Sequence, residues 1–143
     1  MQIASLLRRK GPDVVTVAPD RPVRAALALL AEHRIGALVV SRGGGTVDGI
    51  VSERDVVRAL HASGPEVLDG PVSALMTAEV RTCVPGASVH DLARTMTDHR
   101  IRHVPVVEDG RLLGIVSIGD VVKARLDELQ EERDHLVDYI QTT

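Results

Sequence analysis

The chain has 143 residues, 44% of them hydrophobic and 26% charged, with a formal net charge of −3. That is the composition of a globular module large enough to bury a core, and its charge balance argues against a phosphate-neutralising nucleic-acid face. A single tyrosine, Tyr139, with no Phe or Trp leaves no aromatic platform for stacked bases, and the lone Cys83 excludes an internal disulfide or a cysteine-rich zinc site. No apolar run reaches the roughly 18 residues of a membrane span, and the first residues lack the pattern of a signal peptide. The expectations are a cytoplasmic protein with no membrane and no nucleic-acid partner.

In chain order, the first element is a β-prone segment around Thr16 that ends at Pro19. Asp20 is placed to cap a helix whose apolar residues Val23, Ala26, Leu27 and Leu30 recur at three- and four-residue spacing. After Gly36 comes the apolar run Ala37-Leu38-Val39-Val40, a turn built on Gly43-Gly44-Gly45, and a second run, Gly49-Ile50-Val51. Two such runs across a turn predict a hairpin. The glycines do not lead from a strand into a helix, so they are turn material and not a phosphate-binding loop. Ser52 then opens another helix.

The breaker-rich stretch 63–71 follows, and the pattern starts again. Thr16 and Pro19 return as Thr82 and Pro85, and His33-Arg34-Ile35 as His99-Arg100-Ile101, all at one constant offset. Val89, Leu92, Ala93 and Met96 repeat the helical face, with Ser88 or Gly86 at its start. Val104-Pro105-Val106-Val107 repeats the apolar run. Pro105 cannot donate to a sheet ladder, which predicts a strand start or an edge. Gly49-Ile50-Val51-Ser52 and Asp55 recur as Gly114-Ile115-Val116-Ser117 and Asp120, with the offset now shorter by one. The lost residue falls in the turn between, where length changes are tolerated. The fold class is α+β: two β-α-β-β-α units in one module with pseudo-two-fold symmetry. The first repeat is 1–62, the linker 63–71, the second repeat 72–125 and a helical tail 126–143.

The doubled phrase Gly-hydrophobic-hydrophobic-Ser-x-x-Asp after a hairpin resembles the CBS (cystathionine-β-synthase) domain family. Arg102-His103-Val104-Pro105-Val106-Val107 and Val72-Ser73-Ala74-Leu75-Met76-Thr77 add to that resemblance. It covers the chain from Ile3 to Arg125. The resemblance implies two clefts between the repeats that hold AMP, ADP, ATP, NAD or S-adenosylmethionine, and a regulatory role usually exercised on an attached or separate partner.

Ser52-Glu53-Arg54-Asp55 and Ser117-Ile118-Gly119-Asp120 carry two readings. Each fits a capping box, in which the serine accepts a first-turn N–H and the acid reaches back. Each also sets a carboxylate beside a helix N-terminus, where phosphate is favoured and a ribose diol can donate to the acid. In the family the resemblance gives this Asp the ribose and the Ser the neighbourhood of sugar or phosphate. Thr16 and Thr82 are ordinary strand residues on one reading, and border the adenine on the other. Arg102 and His103 can meet phosphates or simply cover the cleft rim. Their counterparts Gly36, Ala37 and Leu38 supply no cation, and Arg54 is read as compensating, since Gly119 stands at its place in the second repeat. The candidate binding set is therefore Thr16, Gly36, Ala37, Leu38, Ser52, Arg54, Asp55, Thr82, Arg102, His103, Val104, Pro105, Ser117 and Asp120. The two sites are expected to be unequal, one of them empty or holding the nicotinamide half of a dinucleotide.

His99 and His103 are four apart, but a helix end is expected between them, so surface histidines are preferred to a metal site with Cys83. No catalytic triad or carboxylate pair recurs, so no catalytic residue and no catalytic cofactor is assigned and the protein is read as not an enzyme. In the tail, Val122, Leu126, Leu129, Leu136 and Ile140 lie close to a heptad seam interrupted by Arg133. The seam either packs back on the module or meets a partner helix. Its acidic flanks favour the partner, and a homodimer is expected. The sequence thus suggests a ligand-sensing regulator of an unknown protein. A structural dimerisation module with no ligand is the alternative.

Overall fold

A computed structural model describes residues 1–142. Helix α1 (Ile3–Lys10) precedes a short strand β1 (Thr16–Val17), helix α2 (Val23–His33), strands β2 (Ala37–Val40) and β3 (Gly49–Ser52), and helix α3 (Glu53–Ser63). Two short 3-10 turns, Pro65–Asp69 and Val72–Ala74, carry the chain to α4 (Val89–His99), β4 (His103–Glu108), β5 (Arg111–Ser117) and the long α5 (Ile118–Thr142). In the first sheet β1 runs parallel to β2 and β2 antiparallel to β3; β4 and β5 form a separate antiparallel pair.

The repeats keep their register where backbone chemistry allows. Val17 accepts from the Ser41 amide at 2.9 Å, and its counterpart in the second repeat, Cys83, accepts from Val107 at 2.8 Å. Yet Thr82 is not in a strand. The second copy of β1 shrinks to one parallel bridge, Cys83 with Val106. Pro105 stands where Val39 does in the first repeat and has no N–H to give, so the ladder cannot lengthen. Pro105 occupies the middle of β4 on its outer edge, its carbonyl accepting from Cys83 at 3.0 Å. The edge expectation holds.

Helix starts divide in the same way. Ser88 caps α4, accepting from the Asp91 amide at 2.9 Å. Asp20 does not cap α2: it lies in the turn before it, and Pro22 holds the cap position with no side-chain bond. The helix begins too late in the chain for Asp20 to reach. α2 and α4 both end on an arginine in the left-handed region, Arg34 and Arg100, each at φ 53°. The Gly43-Gly44-Gly45 segment joins the antiparallel strands β2 and β3 and has positive φ throughout, a conformation glycine adopts without strain.

The lead-in segments are exchanged between the repeats. Ile3 and Leu6 of α1 are buried with Val89, Leu92, Met96, Val104 and Val116 of the second repeat. Val72, from the segment leading into the second repeat, is buried with Val17, Ala26, Leu30, Leu38 and Val51 of the first. The backbone repeats the exchange: Ile3 donates to Ala87 at 2.9 Å and Val72 to Arg21 at 2.8 Å. Leu7 packs on Gly114 as Met76 packs on Gly49. Leu7 and Met76 are therefore equivalent, and the same offset pairs Lys10 with Glu79.

α5 continues well past the repeat, as expected. Val121 and Ala124 are buried, whereas Val122, Leu126, Leu129 and Leu136 are 46–63% exposed. The seam does not pack back on its own module.

Candidate functional site

Both Ser-x-x-Asp phrases form the capping boxes their sequence describes. At α3 the Ser52 amide donates to Asp55 Oδ2 at 2.8 Å, and the Asp55 amide returns a bond to Ser52 Oγ at 3.3 Å. At α5 the Ser117 amide meets Asp120 Oδ2 at 2.9 Å, and the Asp120 amide meets Ser117 Oγ at 3.1 Å. The helix-capping role is thus real in both repeats. At Asp55 it uses one carboxylate oxygen and leaves Oδ1 without a partner among the described residues.

Around Asp55 lies an open cleft of about 730 Å³. It is walled by the start of α3 with Gly36 and Ala37 of the same repeat, by residues of 77–81, and, from the second repeat, by 99–103 at the end of α4 and by Ser117 and Gly119. Of the sequence candidates it collects Gly36, Ala37, Ser52, Arg54, Asp55, Arg102, His103 and Ser117. Leu38, Val104 and Pro105 are buried in the sheets, and do not line it. Thr82 is exposed one residue beyond Arg81, the last lining residue of its stretch; Thr16 and Asp120 lie outside.

The sequence assigns Arg54 and Arg102 to different sites, one making up for the other. The fold instead brings them to the same cleft, because that cleft draws on both repeats. The cations are concentrated, not balanced. Arg58, Arg81 and Arg100, which sequence reasoning did not single out, complete a row of five arginines with His99 and His103 beside them. The spacing of Arg58, one helical turn after Arg54, was the available signal. Three carboxylates, Glu53, Asp55 and Glu79, share the cleft, but none of the five arginines forms an ion pair with a described residue. The cleft presents an excess of positive charge beside the open oxygen of Asp55.

The second repeat's acid stands differently. Lys10 Nζ donates to Asp120 Oδ2 and to the Ile115 carbonyl, both at 2.7 Å. Burial alone would raise the Asp120 carboxyl, but the bonds from Lys10 and Ser117 outweigh it and hold the group below the usual carboxylate value. His103, half-buried near the junction of the repeats, is held below the usual imidazole value, first by burial and then by the charge of Lys10. A Cβ added to Gly36 would lie 3.5 Å from its ring. Burial pushes the Cys83 thiol up to about 11, so it is an unreactive packing residue. Among the described residues no cluster of three His, Cys, Asp or Glu side chains is placed for a metal ion, and no helix is long and apolar enough to cross a membrane.

The family model for the CBS domain matches the chain twice, over residues 4–62 and 72–127. The CBS domain-containing protein CBSX3, mitochondrial, of Arabidopsis thaliana is 36% identical over 97% of this chain and 71% of its own length. The crystal structure of the CBS-domain containing protein ATU1752 from Agrobacterium tumefaciens superposes with a TM-score of 0.84 at 49% identity, covering 87% of this chain and 99% of that one. The CBS domain protein PAE2072 from Pyrobaculum aerophilum, complexed with AMP, aligns with a TM-score of 0.75 at 32% identity over 84% of this chain and 89% of that one.

Proposed function

This chain belongs to the CBS domain family, with two copies in tandem, and from that we propose that it is a regulatory module which senses an adenine nucleotide in the cleft beside Asp55. The observation that carries the reading is the row of five arginines without carboxylate partners in a cleft of about 730 Å³, next to the open oxygen of Asp55. That volume lies within the usual range of small-ligand sites, roughly 300–1,000 Å³. Guanidinium groups bind phosphate oxygens in a fork, and a carboxylate accepts from a ribose diol. One end of the cleft therefore suits a sugar and the rest a phosphate chain. A phosphorylated adenosine such as AMP, ADP, ATP or NAD fits this charge better than the sulfonium of S-adenosylmethionine, which a cleft with five arginines against three carboxylates would repel. The AMP held by PAE2072 supports the class of ligand.

Arg54, Asp55 and Ser52 hold the sugar and nearest phosphate in this reading, while Arg102 and His103 face the phosphates from the other repeat. Closing two repeats on one anion gives the ligand different affinity for open and closed shapes, which is what a sensor needs. The output passes to a separate protein. The α5 seam of Val122, Leu126, Leu129 and Leu136 supplies an apolar stripe for self-association, and the module works as a homodimer. Deleting residues after Glu128 would shift sedimentation from dimer to monomer if that seam holds the copies together.

The test of ligand sensing is mass spectrometry of small molecules released on denaturing freshly purified protein, followed by calorimetric titration of what is recovered. Recovery of an adenine nucleotide is expected. A clean extract, with no heat on titrating AMP, ADP, ATP or NAD, overturns the reading and favours a dimerisation module alone.

A further inference from the structure

The repeats are built alike, but one carboxylate has a cation of its own. Exchange of the lead-in segments places Lys10 and Glu79 at equivalent positions, as the matched pairs Leu7 on Gly114 and Met76 on Gly49 establish. In the first repeat the backbone stays extended there: Thr77 exchanges two hydrogen bonds with Ile50, at 2.9 and 3.0 Å. Glu79 follows, an acid in the same cleft as Asp55. In the second repeat α1 remains helical through Lys10, and the lysine side chain replaces that backbone pairing. Its Nζ takes the Ile115 carbonyl and Asp120 Oδ2 together, with the two side chains 34% and 25% exposed.

We infer that Lys10 is a built-in counter-ion at the second capping box, pairing with Asp120 where Asp55 has no cation among the described residues, so that each chain takes up one nucleotide beside Asp55 and none beside Asp120. This rests on the nucleotide-sensing reading above and extends it to stoichiometry. A ribose diol is a neutral donor. Lys10 and the Ser117 amide both use Oδ2 and leave Oδ1 of Asp120 open among the described residues, as Oδ1 of Asp55 is. The difference is the ammonium, which offsets the Asp120 charge and so weakens that carboxylate as an acceptor from a neutral hydroxyl. A diol engaging both oxygens must also displace Lys10 and strip the Ile115 carbonyl of its partner. Two of the arginines that flank Asp55 have no counterpart on the Asp120 side. Gly119 stands where the first repeat has Arg54, and Gly36 where the second has Arg102. The first cleft has the opposite arrangement: no cation on Asp55, and the arginines gathered around it. Lys10 thus decides which of two similar sites is open.

The experiment is isothermal titration of the full chain with AMP and, separately, ATP, using wild type, Lys10→Ala, Lys10→Arg and the pairs built on Asp55→Asn. Wild type and Lys10→Arg are expected to bind one ligand per chain, and Lys10→Ala two. Asp55→Asn is expected to lose binding by about tenfold or more. Adding Lys10→Ala to it restores one site, which Asp120→Asn then removes. Thermal unfolding of each variant confirms that it is folded, and Lys10→Arg separates loss of the charge from any damage to α1. Two sites in wild type, or one site in Lys10→Ala beside a binding wild type, overturn the inference while leaving nucleotide sensing intact. No binding of either nucleotide to any variant overturns the sensing reading and this inference with it.

Discussion

The two repeats share a backbone and differ in how each treats its acid. Among the described residues each acid closes its capping box through Oδ2 and leaves Oδ1 open, but Asp55 faces a cleft rich in arginine with no cation of its own, whereas Asp120 Oδ2 is also paired with Lys10. The difference teaches that duplication copies what the helix start needs, because the capping box stabilises the fold in both places. The ring of charges around it is free to diverge. What discriminates the two acids lies partly on the segments exchanged between the repeats, Lys10 against Glu79, and partly in the arginines, Arg54 against Gly119 and Arg102 against Gly36.

The hardest test of the comparison is to treat the acids alike. Asp55→Asn keeps an oxygen for the Ser52 amide, so α3 should stay capped, but it forfeits the charged acceptor. Losing a hydrogen bond to a charged group costs about 1.5–3 kcal/mol, so nucleotide affinity should fall about 10- to 100-fold. Asp120→Asn, by contrast, should leave nucleotide titration nearly unchanged from wild type. Equal losses from both would dissolve the distinction between the clefts.

The next test concerns the glycines behind the exchanged segments. At Gly49 a Cβ would meet Met76 Sδ at 2.6 Å and the Thr77 carbonyl at 2.9 Å, and that carbonyl is pinned by its bond from Ile50. At Gly114 the nearest atom is Leu7 Cδ2 at 2.7 Å, the tip of a side chain that can turn away. Gly49→Ala should therefore cost about 1–3 kcal/mol, and Gly114→Ala under about 1 kcal/mol. Unfolding midpoints settle it. A larger drop for Gly114→Ala would mean that α1 is the less yielding of the two segments.

How much of this could be read in the sequence follows from which interactions are local. The duplication, the hairpins, the helical faces and the capping boxes all rest on residues within a turn or two of one another, so periodicity and spacing disclose them. Pro105 at an edge follows from its missing N–H. The missing Thr82 strand needs one step more, since it depends on Pro105 facing Cys83 from the other side of α4 in the chain. Asp20 fails as a cap because α2 starts at Val23 with Pro22 in the cap position, which leaves Asp20 in the turn before it. Lys10 on Asp120 joins residues at opposite ends of the module, and nothing in either neighbourhood announces it. The gathering of Arg54 with Arg102 is likewise legible only once the repeats are known to share that cleft.

Arg102 offers a graded test. It is exposed and makes no ion pair with a described residue, at a position where the first repeat has Gly36. Arg102→Ala should weaken AMP by about 1 kcal/mol, roughly fivefold, and flatten the dependence of affinity on salt. Arg34→Ala, at the place in the first repeat that corresponds to Arg100, should change neither if the second cleft is closed by Lys10. A matching loss from Arg34→Ala would place nucleotide in both clefts.

The smallest effect expected is one of pH, and it turns on His103. Burial lowers its proton affinity first and Lys10 adds to this, while Asp120 and Glu53 pull the other way and Arg102 reinforces the depression. The ring is therefore harder to protonate than a free imidazole. In the free protein the stability tied to this depression is fully present above the unfolded imidazole value of about 6.5, and is lost as pH falls from there through the lower folded value. A phosphate bound at Arg102 reverses the preference, since an anion favours the protonated ring. Nucleotide affinity should accordingly rise by a few-fold between pH 7.5 and pH 5.5 in wild type. His103→Asn should remove that rise, leaving only the change due to the phosphate's own ionisation near pH 6, which is common to both proteins. Titrations at four pH values give the difference directly. Superimposable curves would place His103 away from the phosphates and confine the anion to the α3 side of the cleft.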